Sequence, residues 1–328
     1  MTTTSPQRSA RLCLALAMLT VGSTVVAGKL VVDGLPPFLA TALRFALATP
    51  LLALATQLGG VRWPRLDART LGLLVVQAAA GSTGYTVFLL AGLKLTPAAD
   101  AGVLLGALPA AVGVLSVLLL REHLRPRNLL AIALATIGVL LTALQAGTGL
   151  PSARALLGDA LVLAAVACEA LFLLLNKRLR TPIAPLAQAT LMSGFGLLLA
   201  LPPALLELAG QPAPAWSPTA LLAVAWYALG PTAIGYWLWY RGAARLSGVQ
   251  AAPFTALAPP TALLLSALLL GERLHAAQWA GTALVVAAVL VNVIRVAPEP
   301  DDAAETAARI IAPATCPASG RRGRASRG

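Results

Sequence analysis

Leu118-Leu119-Leu120-Arg121-Glu122-His123-Leu124 reads onto Leu268-Leu269-Leu270-Gly271-Glu272-Arg273-Leu274. At that same spacing Pro109 falls on Pro259. One residue out of that register, Gly84-Tyr85 falls on Gly235-Tyr236, and Lys94-Leu95-Thr96 on Arg245-Leu246-Ser247. Further upstream, Lys29 and Pro37 fall on Lys177 and Pro185. An ordered set of matches at a long fixed spacing marks one structural unit used twice.

The solvent around that unit follows from composition. Of 328 residues, 58% are hydrophobic and 11% charged, with a mean hydropathy of +0.82. A soluble domain carries roughly a quarter charged residues, so too little polar surface exists here to coat a water-soluble particle. Ten mainly apolar runs are long enough to cross a hydrocarbon core about 30 Å thick. They are 11–32, 36–57, 70–91, 98–120 and 127–146, then 156–176, 184–208, 217–240, 249–270 and 275–296. Their length selects helices, since a barrel strand needs only about ten alternating residues. The basic start, Met1 to Arg11, precedes an apolar run but no A-x-A cleavage pattern, so that run reads as the first span and not a signal peptide.

Five spans per half is an odd number, so the second half must enter the membrane from the opposite side. The charges agree. Loop 2–3 carries Arg62, Arg65 and Arg69, and its counterpart, loop 7–8, has no Lys or Arg. Loop 1–2 carries only Lys29, and its counterpart carries Lys177, Arg178 and Arg180. Loop 4–5 carries Arg121, Arg125 and Arg127 against the single Arg273 of loop 9–10. Opposite bias in matching loops is what positive-inside sorting produces for inverted repeats, with both termini cytoplasmic. The expected fold is therefore all-α, a polytopic membrane protein of ten transmembrane helices in two inverted five-helix repeats. The expected division is a cytoplasmic N-terminus at 1–10, a first repeat at 11–146, a linker at 147–155, a second repeat at 156–296 and a tail at 297–328. The tail is Pro-, Ala-, Ser- and charge-rich, a composition expected to remain disordered on the cytoplasmic side.

Several segments together resemble a known family. They are Gly22-Ser23, Lys29, Gly34-Leu35-Pro36-Pro37 with Leu43-Arg44-Phe45, Gly158-Asp159 opening span six, and the two segments ending at Leu124 and Leu274. The ordered set is similar to the drug/metabolite transporter superfamily, in the branch with two EamA-type domains, over residues 11–296. That resemblance implies a ten-helix carrier of the inner or plasma membrane with a cavity between its repeats. It also favours export of an amino acid, metabolite or drug-like amine. An aromatic residue that the family often has before the Gly-Ser of span one is replaced here by Val21.

Ionisable side chains inside spans are costly and are functional candidates by default. Glu169 lies mid-span, where a carboxylate could take up and release a proton or pair with a cationic substrate. The related small multidrug exporters resemble this in using a glutamate of their first helix. Packing is the alternative, through a hydrogen bond to a neighbouring helix. Arg44 in span two cannot readily neutralise, and could pair with Glu169, meet a substrate anion or pin helices. Asp100 opens span four, where it could attract a cation or serve the helix N-terminus. Tyr85 and Tyr236, each after a glycine, could flank a central solute. Gln77 is a polar candidate in span three. Trp237, with Trp239 and Tyr240, fits an interfacial belt. Pro109 and the pair Pro259-Pro260 interrupt helical hydrogen bonding in matching spans, a pointer to a transport pathway or gating bend.

Other function classes lack their signatures. The net charge of +12 comes without a nucleic-acid-binding motif. His123 and His275 fall on opposite membrane faces, so they cannot join in one catalytic or metal cluster, and Cys13, Cys168 and Cys316 show no ligand spacing. There is no G-x-x-x-x-G-K-[ST] for a nucleotide-driven pump. The expected activity is secondary transport by alternating access. Its expected partners are a small-molecule substrate, the lipid bilayer and a coupling proton, with no cofactor, no metal and no nucleic acid. A homodimer is left open.

Overall fold

The computed structural model describes residues 5–120, 126–144, 152–179, 183–210, 214–246 and 251–293. All belong to one unit, Met1–Ile294. The expectations for His123, Cys316 and the tail lie outside the described residues. Among the described residues every regular element is helical. The first repeat holds α1 (Ser5–Val32), α2 (Pro37–Leu58), α3 (Ala68–Leu93), α4 (Ala98–Leu119) and α5 (Pro126–Leu144). The second holds α6 (Ala153–Lys177), α7 (Pro185–Gly210), α8 (Pro218–Ala243), α9 (Phe254–Leu270) and α10 (Ala276–Val293).

Seven of these rods (α1 to α4 and α6 to α8) are long and apolar enough on their own to cross a membrane. The other three have shorter apolar stretches, Leu129–Gly138, Phe254–Leu270 and Ala276–Val291. Local chemistry sets the starts. Proline occupies the first position of α2, α7 and α8, where its missing N–H costs nothing. Ser152 and Ser217 accept from the N–H groups of Ala155 and Ala220, both at 3.1 Å. Gly271 ends α9 at φ +67°, a left-handed conformation that only glycine adopts without strain.

Side-chain size is sorted as lipid demands. Leucines 118, 198, 206, 222 and 268 point outward, each more than 65% exposed, while the interior is dominated by alanine. Lipid tails are as apolar as leucine, so helices gain by close approach of small residues. Gly92 meets Val162 and the Gly158 carbonyl, and at matching positions of the other repeat Gly242 meets Leu14 and the Ala10 carbonyl. Gly84 lies against Cys168, and Gly235 against Thr20. The same two-fold pattern relates the helix pairs α1·α8 and α6·α3. Equivalent helices pack on each other in α2·α7, α4·α9 and α5·α10.

The inversion is visible in the hydrogen bonds. Leu39 at the start of α2 donates its N–H to Glu207 at the end of α7 (2.9 Å). Thr49 pairs with Ser193 (2.9 Å), and Thr56 near the end of α2 pairs with Thr190 near the start of α7 (2.8 Å). α2 and α7 are equivalent yet antiparallel, which requires a two-fold axis in the membrane plane.

Neither α3 nor α8 is a uniform α-helix. Each contains a seven-residue π-helical segment at a corresponding place, Ala78–Gly84 and Ala228–Ile234. α4 and α9 carry tighter 3-10 turns, Leu105–Ala107 and Ala252–Leu257, directly before the stretches holding Pro109 and Pro259.

Candidate functional site

Six helices, α1, α3, α4, α6, α8 and α9, leave a cavity between the repeats. Its walls come in two-fold-related pairs: Met18 and Val166, Val21 and Glu169, Leu105 and Thr255, Leu108 and Ala258. Tyr85 and Trp239 complete the polar part of the lining. A cavity whose opposite walls are equivalent residues sits on the axis that relates the repeats. Carriers built from inverted repeats hold their substrate site at such a repeat interface.

Glu169 breaks the symmetry of this chamber, because its equivalent is Val21. The carboxyl is half-buried, faces the cavity and has no hydrogen-bond partner among the described residues. Tyr85, 7% exposed, places its hydroxyl 3.5 Å from Thr24 Oγ1. All four tyrosines of the chain, at 85, 227, 236 and 240, surround Glu169 closely enough to interact with its charge.

Arg44 is 4% exposed and lies outside the cavity walls. Its Nη1 donates to Thr86 Oγ1 (2.6 Å) and its Nε donates to Thr232 Oγ1. The guanidinium also lies over the rings of Tyr227 and Phe45, 4.4 and 4.7 Å from their centroids. Among the described residues it forms no ion pair with Glu169, although its charge is near enough to act there.

The remaining candidates are spread around this centre. Tyr236 bonds through its hydroxyl to Ser82 (3.2 Å). Gln77 Nε2 donates to Asn176 Oδ1 (3.2 Å) and to the Phe172 carbonyl (3.3 Å), while its Oε1 is buried and unpartnered. Trp237 carries Arg241 over its ring at 5.1 Å. Trp239 lines the cavity and Tyr240 is 3% exposed, so neither serves the interfacial belt read from the sequence. Their place in α8 puts them on the face that packs against α1 and α7. Pro259 is buried and Pro109 and Pro260 half-buried, each following its 3-10 turn.

Asp100 belongs to a separate polar layer at the α1-to-α2 end of the bundle. It accepts from Gln278 Nε2 (2.8 Å). Glu272, turned back by Gly271, accepts from the free N–H groups of Ala98 and Ala99 (3.0 and 2.7 Å) at the start of α4. Thr96 donates to Asp159 (2.7 Å), and Lys29 Nζ donates to the carbonyls of Leu93 and Thr96 (2.7 and 3.1 Å). Four of these hydrogen bonds cross between repeats, so this face of the bundle is sealed by polar bonds.

The sequence reading did not single out Thr86, Thr232, Ser82 or Tyr227. Their only signal was position, in or beside the small-residue stretches 78–84 and 228–234.

The EamA-like transporter family matches the chain twice, at residues 8–144 and 156–294. The relative named "Uncharacterized transporter YetK" from Bacillus subtilis (strain 168) is 36% identical, over 88% of each chain. A relative from Streptantibioticus cattleyicolor, named "Probable terminal-alkyne amino-acid exporter", is 30% identical over 84% of this chain and 91% of its own. A solved crystal structure superposes with a TM-score of 0.63 at 26% identity, covering 88% of this chain and 97% of that one. With both halves matched, and with inverted repeats around a shared cavity, this chain belongs to the EamA-like transporter family and is a multi-pass membrane transporter.

Proposed function

We propose that the protein exports a small organic solute, an amino acid, metabolite or drug-like amine, in exchange for protons, with Glu169 as the coupling group. The observation that carries this reading is the single carboxylate lining the on-axis cavity, with no hydrogen-bond partner among the described residues. A carboxylate so placed is neutralised either by a proton or by a cationic group of the solute. Competition between the two is the elementary requirement for exchange. Tyr85 and Trp239 provide aromatic faces beside it, which suit an ammonium or an apolar side chain. Tyr236, Gln77 and Asp100 act one layer out, holding the helices that form the walls. Trp237 does so through Arg241, and Pro109, Pro259 and Pro260 mark the bends at which α4 and α9 move. Export is supported by the printed name of the exporter relative.

The protein resides in the inner or plasma membrane with both termini cytoplasmic, the orientation that places Arg62, Arg65 and Arg69 inside. Its repeats are residues 11–146 and 156–296, joined by 147–155.

The test is reconstitution in liposomes with a trapped pH dye, screening amino acids, small amines and cationic drugs for solute-driven proton movement. Wild type moves protons with one class of solute and Glu169→Gln does not. Equal proton movement in the variant would contradict Glu169 as the coupling group.

A further inference from the structure

Arg44 raises a question that packing does not answer. Its two-fold equivalent is Met192, fully buried, so an apolar side chain fills the corresponding space in the other repeat. A permanent cation inside a span is costly, and this one bonds no carboxylate among the described residues. What it bonds instead is one threonine from each π-helical region.

On one arm, Arg44 Nη1 donates to Thr86, in the first turn after the α3 segment Ala78–Gly84. Thr86 passes its own proton to the Ser82 carbonyl inside that segment (2.7 Å). On the other arm, Arg44 Nε donates to Thr232, within the α8 segment Ala228–Ile234. Thr232 passes its proton to the Tyr227 carbonyl (2.7 Å), five residues back, the spacing of the wide turn. The fork of the guanidinium donates to two hydroxyl acceptors in a geometry that a point charge could not hold in the same way.

The α3 arm is also keyed to Glu169. A Cβ at Gly81 would overlap the Phe172 ring, and one at Gly84 would lie 3.2 Å from Cys168 Sγ. Cys168, Glu169 and Phe172 occupy a single turn of α6. Any shift of that turn therefore meets the α3 segment, and through Thr86, Arg44 and Thr232 it meets the α8 segment.

We propose that Arg44 is a positioning residue, a clasp that joins the π-helical segments of the two repeats so that a change of charge at Glu169 moves both arms together. This rests on the reading of Glu169 as the coupling group. π-helical turns are marginal structures that recur at functional sites, and a pair tied through Arg44, with the Ser82–Tyr236 bond as a second tie, behaves as a single two-state element.

The test uses protons alone as the probe. Backbone hydrogen–deuterium exchange of the full chain in nanodiscs is compared in mildly acidic and mildly alkaline buffer, corrected for intrinsic rates. In wild type, protection of 78–84 and 228–234 changes with pH in both segments. In Thr86→Val/Thr232→Val, which keeps side-chain shape, and in Arg44→Met, each combined with Tyr236→Phe to remove the Ser82 tie, the 78–84 response persists and the 228–234 response is lost. Both arms responding in these variants, or no 228–234 response in wild type, would overturn the clasp. Glu169→Gln separates the two ideas. It abolishes both responses if Glu169 is the sensor, whereas a persistent joint response in that variant overturns Glu169 while leaving the clasp standing.

Discussion

At the scale of single residues, two charges break the internal symmetry. Glu169 faces Val21 across the axis, and Arg44 corresponds to Met192. Glu169→Gln keeps the shape and removes the titration. It is expected to abolish proton-driven solute flux while leaving solute exchange down its own gradient, as read by counterflow in liposomes at equal pH on both sides. Glycine contacts give a purely structural prediction. A Cβ at Gly106 would overlap Val285, so Gly106→Ala is expected to cost about 1–3 kcal/mol of stability. Combining it with Val285→Ala should restore much of that loss, since contacting sites are not additive. Thermal unfolding in detergent reads both.

At the scale of elements, the layer around α4 sets the next expectation. Glu272 satisfies the N–H groups of Ala98 and Ala99, and removing such a cap costs about 1 kcal/mol. Glu272→Ala should speed hydrogen exchange of residues 98–104 and raise labelling of a cysteine placed at Ala99. Unchanged exchange would show that Gln278, Asp159 and Lys29 seal that face without it.

Much of this level was legible in the sequence. Ten apolar runs became ten helical rods, with α1 starting at Ser5, ahead of its run. The matched prolines follow the irregular stretches of α4 and α9. The π-helical segments were not legible, because Ala78-Ala79-Ala80-Gly81-Ser82-Thr83-Gly84 suits an α-turn equally well. The α8 segment does hold a local breaker, Pro231; the contacts around both segments are tertiary, the Phe172 ring against Gly81 and the threonines 86 and 232 bonded by Arg44. Those threonines lie 42 and 188 residues from Arg44, beyond any local pattern. Tyr240 was misread as interfacial for the related reason that an aromatic cluster near a span end looks the same whether it faces lipid or a neighbouring helix.

At the scale of the whole molecule, inversion fixes what can face which side. Loops 2–3 and 7–8 are equivalent and opposite. Cysteines introduced at Arg62 and at Trp216, the latter 50% exposed, should react with an impermeant maleimide from opposite faces of oriented vesicles. Labelling from one face would contradict the inverted arrangement. The cavity on the axis is lined by both halves, with one carboxylate in its wall. One carboxylate can trade one proton for one solute per cycle. The most direct measurement is the solute gradient that just halts flux against a fixed pH gradient across proteoliposomes. For an uncharged solute at zero membrane potential, the proton-coupled account predicts that wild type halts when the two gradients are equal in magnitude. It also predicts that Glu169→Gln halts only when the solute gradient itself is zero. Flux indifferent to the pH gradient in wild type, or the same halting point in both proteins, would contradict it.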